Sequence, residues 1–380
     1  MGKAKILIVS HYFPPHTGGI EFVAANQARR LAGHGYQVTV LTSRVNKNET
    51  SGFVDGVSIF RIKAWNGLEA KGIPFPLFSP SIAWSAFRLV KQADIVHIHD
   101  AFYLSSFWAS FAAWILRKPV VVTQHVDLVP HGRKFPVLVQ RIVYATTGKF
   151  VLKSAGYVTT MNGRVADFVR ALGVSKDRVM LVPNGVDELL FKPADDAIKL
   201  ALRKKYGLSE DKVIALFVGR YVHKKGFDKV IAAHSLDLQI VCAGGTTKRP
   251  SDESVCYLGI LDQKQLAEVY QLADMFILPS EGEGFPLSVQ EAMATALPVI
   301  LAADRGYNSY NFDSQLLLQL DVPSVATIRM TLQQLAQNTT KRQAMSEYSR
   351  KYVTDHFSWD HIIEELEAIY GQLLSNRSTK

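Results

Sequence analysis

Only two cysteines, Cys242 and Cys256, occur in the 380 residues of this chain. Two thiols without metal-ligand spacing exclude a disulfide framework and a cysteine-based metal site, and they fit a reducing compartment. No apolar run reaches 18 residues, so no transmembrane helix is expected. The run Ile6-Leu7-Ile8-Val9 is too short for a signal h-region and has no cleavage site after it. It reads as a first strand, and a cytoplasmic location is the expectation. No two aspartates stand two apart, so a metal-binding Asp-x-Asp motif is missing. Gly-x-Gly-x-x-Gly is missing as well, which removes the dinucleotide fingerprint. Internal repeats, low-complexity tracts and long linkers are also absent. What is present is 48% apolar sequence, long enough for two domains that each bury a core. The net charge is +9 and the pI about 9.3. Such an excess suits nucleic acid, an anionic membrane surface or a diphosphate substrate, or serves solubility alone. No nucleic-acid recognition motif accompanies it, so nucleic acid is not expected as a partner.

The first half alternates strand and helix patterns. Strands are expected at Ile6 to Ser10, Gln37 to Thr42, Ile59 to Ile62, Asp94 to Ile98, Val120 to Thr123 and Tyr157 to Thr160, with a helix from about Ile20 to His34. A second alternating set follows Pro183-Asn184-Gly185-Val186-Asp187. Its strands are expected at Val213 to Val218, Gln239 to Ala243, Val255 to Leu258, Met275 to Leu278 and Val299 to Leu301. Strand–helix alternation of this kind builds parallel sheets, so the fold class is α/β. Two doubly wound, Rossmann-like domains are predicted, residues 1–183 and 184–357, hinged near Pro183 to Asp187. Trp359 to Leu374 carries Ile362, Ile363, Leu366, Ile369 and Tyr370 at helical spacing, with Ser358 as N-cap.

Glu283 and Glu291, with seven residues between them, flank Gly284-Phe285-Pro286. The apolar run before them reads as a parallel strand, and Pro286 suits the first position of a helix opening at Pro286 to Leu287. Glu283 then stands in the loop past the strand's carboxyl end, and Glu291 within the first two helical turns. Open α/β sheets bind ligands at that edge. The amides of Gly284, Phe285 and Leu287 point the same way, and carboxylates beside amide donors suit a polyhydroxylated ligand. Taken singly, either glutamate reads as a solvated surface residue, and it is the pair in this setting that points to a ligand.

A second cluster follows the strand ending at Gly219. Arg220 and Lys225 flank the turn into the next helix, where two cations make a cradle for a diphosphate. They would stabilise the charge that grows on a departing diphosphate, work otherwise given to a divalent metal. In the loop after strand one, Gly18 and Gly19 let the backbone approach a ligand at a helix start, or serve turn geometry alone. His125 lies just past a strand's carboxyl end. His97 and His99 alternate on the preceding strand, with His99 the weaker candidate and a zinc site short of ligands. Arg133 to Lys153 mixes cations with apolar residues. It reads as a core helix with a solvated face, or as a basic amphipathic helix on an anionic membrane. Phe102 to Trp114 is aromatic-rich, and either segment would suit an acceptor cleft.

Tyr270 to Ile300 resembles the E-x7-E signature of family-4 retaining glycosyltransferases, which have the GT-B fold. Gly219-Arg220 with Lys225-Gly226 is similar to that family's G-R-x4-K-G element, Gly18-Gly19-Ile20-Glu21 to its G-G-x-E loop, and Thr123-Gln124-His125 to its T-x-H element. The resemblance covers Lys5 to about Tyr370. It implies two domains facing a cleft, with the C-terminal helix, 358–376, crossing back to the first. It implies donor-sugar contacts at Glu283, Gly284 and Phe285, a ribose contact at Glu291, and diphosphate contacts at Arg220 and Lys225. His125 falls beside the reaction centre, and Gly18 and Gly19 near the donor phosphates. The implied reaction is metal-independent, retaining transfer of a sugar, a hexose by expectation, from a nucleotide-diphosphate sugar to a hydroxyl acceptor. That acceptor is a glycan, a small molecule or a lipid-linked sugar, and no cofactor is expected. Two departures stand out. Ala296 replaces the family's glycine before Leu297-Pro298-Val299-Ile300, and Asp304 to Ser309 lacks the usual Gly-Gly and later glutamate. A GT-B nucleotide-sugar epimerase and an inactive sugar-nucleotide binding protein remain the alternatives.

Overall fold

The computed structural model describes residues 3–16, 18–45, 51–67, 75–128, 134–235, 238–247, 251, 254–282 and 285–378. The chain divides into two units, Met1–Pro183 with Ile362–Lys380, and Asn184–His361.

The first unit is built on β1 (Lys5–Val9), β2 (Gln37–Arg44), β3 (Gly52–Val54), β4 (Val57–Trp65), β5 (Leu77–Phe78), β6 (Ile95–His99), β7 (Val120–Gln124), β8 (Tyr157–Thr160) and β9 (Val179–Leu181). Among the described residues they form one sheet, ordered β3-β4-β2-β1-β6-β7-β8-β9, with β5 beside β4. Pairing is parallel except where β3 and β5 meet β4. Residues of β6 and β7 are buried throughout, which is why they read as unbroken apolar runs or as polar side chains that must find partners inside. The order turns back at β1. β2 and β4 lie on one side, β6 to β9 on the other, so the switch point falls between β1 and β6.

The second unit has β10 (Val213–Val218), β11 (Leu238–Ala243), β12 (Val255–Gly259), β13 (Met275–Leu278), β14 (Val299–Ala302) and β15 (Leu318–Leu320). These are parallel neighbours in the order β12-β11-β10-β13-β14-β15, and the switch point lies between β10 and β13.

The C-terminal helix runs Trp359–Ser378, and Ser358 Oγ accepts from His361 N at 3.3 Å. Ile362, Ile363, Leu366, Ile369 and Tyr370 are all buried. Within the first unit, Tyr370 Oη lies 2.6 Å from His97 Nδ1, and Glu367 Oε1 accepts from Lys3 Nζ at 2.8 Å. His97 Nε2 meets Thr123 Oγ1 at 2.7 Å, so this imidazole anchors the C-terminal helix to the sheet. The segment expected as one helix from Arg133 to Lys153 is a helix Lys134–Val143, a π turn Tyr144–Gly148 and a helix Lys149–Ser154. Arg133 lies outside the described residues.

Candidate active site

In the second unit, β10 ends at Val218 and Arg220 stands exposed just beyond it. A short 3-10 turn, His223–Lys225, leads to Gly226 at φ 72°. A Cβ on Gly226 would lie 2.6 Å from Pro279 Cγ and 2.7 Å from Pro279 O, so only glycine lets this loop press on the loop after β13. Glu281 N donates to Lys224 O at 3.0 Å, and Lys229 Nζ lies 3.4 Å from Glu281 Oε1. The arginine and lysine expected to cradle a diphosphate thus stand at the switch point, on a loop fastened to its neighbour.

Glu283 and Gly284 lie outside the described residues. The chain resumes at Phe285, whose ring is buried against Tyr307, Tyr310, Phe312 and Phe357, at centroid distances of 5.4, 4.8, 5.6 and 5.3 Å. Phe285 therefore anchors the loop by its ring and can serve a ligand only through its backbone. Pro286 is the N-cap, with φ −64° and ψ 132°, and the helix is Leu287–Ala294. The N–H groups of Leu287 and Ser288 fall in the first turn, where a helix has no carbonyl to offer them.

Glu291, one turn further on, is buried. The Tyr270 hydroxyl donates to Glu291 Oε2 at 2.8 Å and lies 3.0 Å from Ser288 O. Burial pushes the carboxyl from 4.5 up to about 7, and the Tyr270 hydrogen bond only partly opposes it. Tyr270 escaped the reading of the sequence because, in the apolar stripe of the helix Gln263–Leu272, nothing marks its hydroxyl. Ala296, in the place of the family's glycine, does adopt the left-handed conformation, φ 59°. Leu297 N donates to Ala292 O at 3.0 Å and Ala296 N to Met293 O at 2.9 Å, a complete Schellman closure. The divergent loop after β14 forms a 3-10 helix Arg305–Tyr310, capped where Asp304 Oδ1 accepts from Gly306 N at 2.8 Å.

In the first unit the loop after β1 carries His11, His16 and Gly18. The His11 ring stacks on Tyr103 at 3.6 Å, and His16 Nδ1 lies 3.2 Å from the buried Glu21 Oε1. Burial works to raise the Glu21 carboxyl, but the His16 hydrogen bond, the neighbouring His11 and His16 charges and a backbone hydrogen bond together outweigh it, and the group stays below its usual range. Gly18 is the N-cap of the helix Gly19–Gly33, and a Cβ there would lie 2.2 Å from Glu21 Oε2. Its close neighbour is thus a carboxylate of its own chain. Gly19 has no atom within 4 Å of a Cβ and leaves open space. Glu21 was visible only as part of a motif, without a role.

His99 and His125 come together at the ends of β6 and β7, His99 Nδ1 lying 3.0 Å from His125 Nε2. Burial pushes His125 down to about 4 and His99 well below its ordinary value, so both rings are neutral at pH 7. Beside them Asp100 is buried at φ 67°, its Oδ1 accepting from Phe102 N at 3.0 Å and from the Tyr144 hydroxyl at 3.2 Å. Burial pushes Asp100 up to about 6. Asp100 and Tyr144 gave no sign in the sequence, since their partners are distant along the chain. Among the described residues no three His, Cys, Asp or Glu side chains are placed to hold a metal ion.

Two parallel α/β units, each gathering its polar groups at a switch point, are the architecture of GT-B glycosyltransferases. Two family models match the chain, Glycosyltransferase Family 4 over residues 17–188 and Glycosyl transferases group 1 over residues 199–352. The chain belongs to the family-4-type GT-B glycosyltransferases, and its reaction is glycosyl transfer. A D-inositol 3-phosphate glycosyltransferase of Xylanimonas cellulosilytica is 26% identical, over 96% of this chain and 94% of its own. Sucrose-phosphate synthase of Thermosynechococcus elongatus superposes with a TM-score of 0.76 at 20% identity, covering 98% of this chain and 100% of its own. The Anabaena protein HepE, in complex with UDP and glucose, gives 0.75 at 15% identity, over 97% of this chain and 100% of its own.

Proposed function

We propose that this chain is a retaining hexosyltransferase that takes its sugar from a nucleoside diphosphate donor and needs no metal ion. The observation that carries this reading is the fastening of the Arg220–Lys225 loop to the loop after β13, at the switch point of the second unit. Two cations held there meet the charge that develops on a departing diphosphate. Glu291, steadied by Tyr270, accepts from the ribose hydroxyls. Glu283 and the amides after it take the sugar, as the family resemblance implies. The solved neighbour in complex with UDP and glucose supports a donor of that class. In the first unit, neutral His125 suits a hydrogen bond to a sugar hydroxyl rather than charge stabilisation. The departing phosphate then takes the acceptor proton, with attack on the face it leaves.

The test is turnover of UDP-glucose at saturating donor, in EDTA, over a panel of hydroxyl acceptors. Transfer should persist in chelator, and Arg220→Ala or Lys225→Ala should slow it by about 10²–10³-fold, the scale of one lost oxyanion donor. Near-wild-type turnover in both alanine variants, or metal-reversible loss of activity in EDTA, overturns the reading.

The acceptor side is proposed to rest on an anionic bilayer. Among the described residues no helix is long and apolar enough to cross a membrane. The helix Lys134–Val143 nevertheless exposes Phe135, Leu138, Val139 and Ile142 beside exposed Arg141. A cavity of about 420 Å³ is lined by Trp114, Lys149, Phe150, Lys153 and Ser154, with Trp114 63% exposed. Apolar anchors among cations suit a negatively charged interface. Flotation with phosphatidylglycerol vesicles should carry the protein, and phosphatidylcholine vesicles or high salt should release it. Equal flotation with both lipids would count against the electrostatic part.

A further inference from the structure

A second cavity in the first unit is lined by none of the histidines. Its volume is about 440 Å³, and its lining includes Phe13, Pro14 and Pro15 of that loop, Arg29, Phe53, Val57, Ile59 and Arg61. Sites for small ligands run from about 300 to 1,000 Å³, so the space fits one. Period-two alternation along β4 puts Val57, Ile59 and Arg61 on one face, toward the helix Gly19–Gly33 that supplies Arg29. Asp55 and Gly56, both at positive φ, turn β3 back onto β4 and raise Phe53 as an outer wall. Phe53 is 72% exposed, an aromatic ring with no core to fill.

The described lining holds two guanidinium groups and no acidic side chain. Arg29 Nε pairs with Asp55 Oδ2 at 3.0 Å, but both side chains are more than half exposed, so the pair is weak and open to exchange. Arg61 is buried, its guanidinium donating to Ser43 O at 3.3 Å and to Pro14 O. The second bond ties the cavity floor to the loop that also carries His11, His16 and Gly18. Guanidinium forks match phosphate oxygens, and an aromatic and aliphatic wall suits an apolar body.

We propose that this cavity binds an organic phosphate, its anion on Arg29 and Arg61 and its apolar part against Phe53, Val57 and Ile59. Such a ligand is either the phosphorylated end of an acceptor or a free phosphate ester, and the chemistry that recognises it is the same. The site is distinct from the diphosphate cradle at Arg220 and Lys225.

Calorimetric titration of the full chain tests this with phenyl phosphate, inorganic phosphate and phenyl β-glucoside as probes. Phenyl phosphate should bind most tightly, because each of the others lacks one half of the recognition. Arg29→Glu and Phe53→Ala, both at exposed positions, should weaken it at least about tenfold while leaving UDP binding unchanged. Arg220→Ala should do the reverse. Transfer assays with phosphorylated and unphosphorylated acceptors then separate the two sources, since only an acceptor's phosphate makes KM for acceptor rise in the cavity variants. Phenyl phosphate affinity that ignores both cavity substitutions, equals that of inorganic phosphate, or is abolished by UDP overturns the proposal. UDP affinity unchanged by Arg220→Ala would instead strike the donor reading and leave this one standing.

Discussion

Glu291 sits on a short helix but carries a core residue's ionisation. Its carboxyl is raised to about 7 by burial, against an ordinary 4.5. Below about pH 4.5 it is neutral both folded and unfolded, and its burial has no charge to desolvate. As pH rises toward 7 the unfolded chain gives up this proton first, so the native state loses stability across that window. Glu291→Gln should therefore match the wild type near pH 4.5 and exceed it above pH 7, by at most roughly 3 kcal/mol. Urea titrations at pH 5 and pH 8 check this, and an equal difference at both values would refute the burial argument. The same variant should bind UDP-glucose more weakly at pH 8, because ribose hydroxyls lose an ionised acceptor worth about 1.5–3 kcal/mol. Wild-type affinity for UDP-glucose should itself improve as pH rises through 7, while that of the variant stays flat. A carboxylate kept buried at this cost is what a site for hydroxyl groups requires, since hydrogen bonds from the ligand replace the lost water.

At the scale of elements, the helix Leu287–Ala294 ends in a Schellman closure whose left-handed residue is Ala296. A side chain there costs about 1 kcal/mol relative to glycine. Ala296→Gly should raise stability by about that amount and leave UDP-glucose affinity untouched, as read by chemical denaturation and calorimetry. A destabilised glycine variant would show that the closure is not strained. The resemblance marked Ala296 as standing where the family has glycine, while its left-handed conformation is seen only in the structure. The long central strands were legible too, since strands buried on both faces must be apolar nearly throughout. Strands β3, β5, β9 and β15 were not, as two or three residues carry no period to read. The π turn at Tyr144–Gly148 was likewise hidden. It aims Tyr144 at Asp100, and a local insertion in a helical pattern looks from the sequence like an ordinary slip in amphipathicity.

The C-terminal helix is the element that the whole molecule spends on its first unit. Its Tyr370 hydroxyl is the partner of His97 Nδ1, 273 residues earlier. Tyr370→Phe would leave a buried ring nitrogen without that partner, which costs roughly 1–3 kcal/mol. A lowered urea midpoint with unchanged UDP-glucose affinity is the expected result, and an unchanged midpoint would mean that the hydrogen bond is not what holds the helix. The amphipathic stripe of that helix, the two runs of alternating strands, and the positions of Arg220 and Lys225 after β10 and of Glu291 in the helix after β13 all followed from the sequence by itself. Each depends on local spacing, and spacing alone decides which residues share a face or a loop. Tertiary structure decided which of the histidines meet. It set His97 against Tyr370, paired His99 with His125, and put Glu21 beneath Gly18. It also left Arg29, Phe53 and Arg61 around one cavity. Those pairings come from sheet order and crossover direction, which bring together residues far apart in the chain, and no local pattern encodes the order in which parallel strands are laid down.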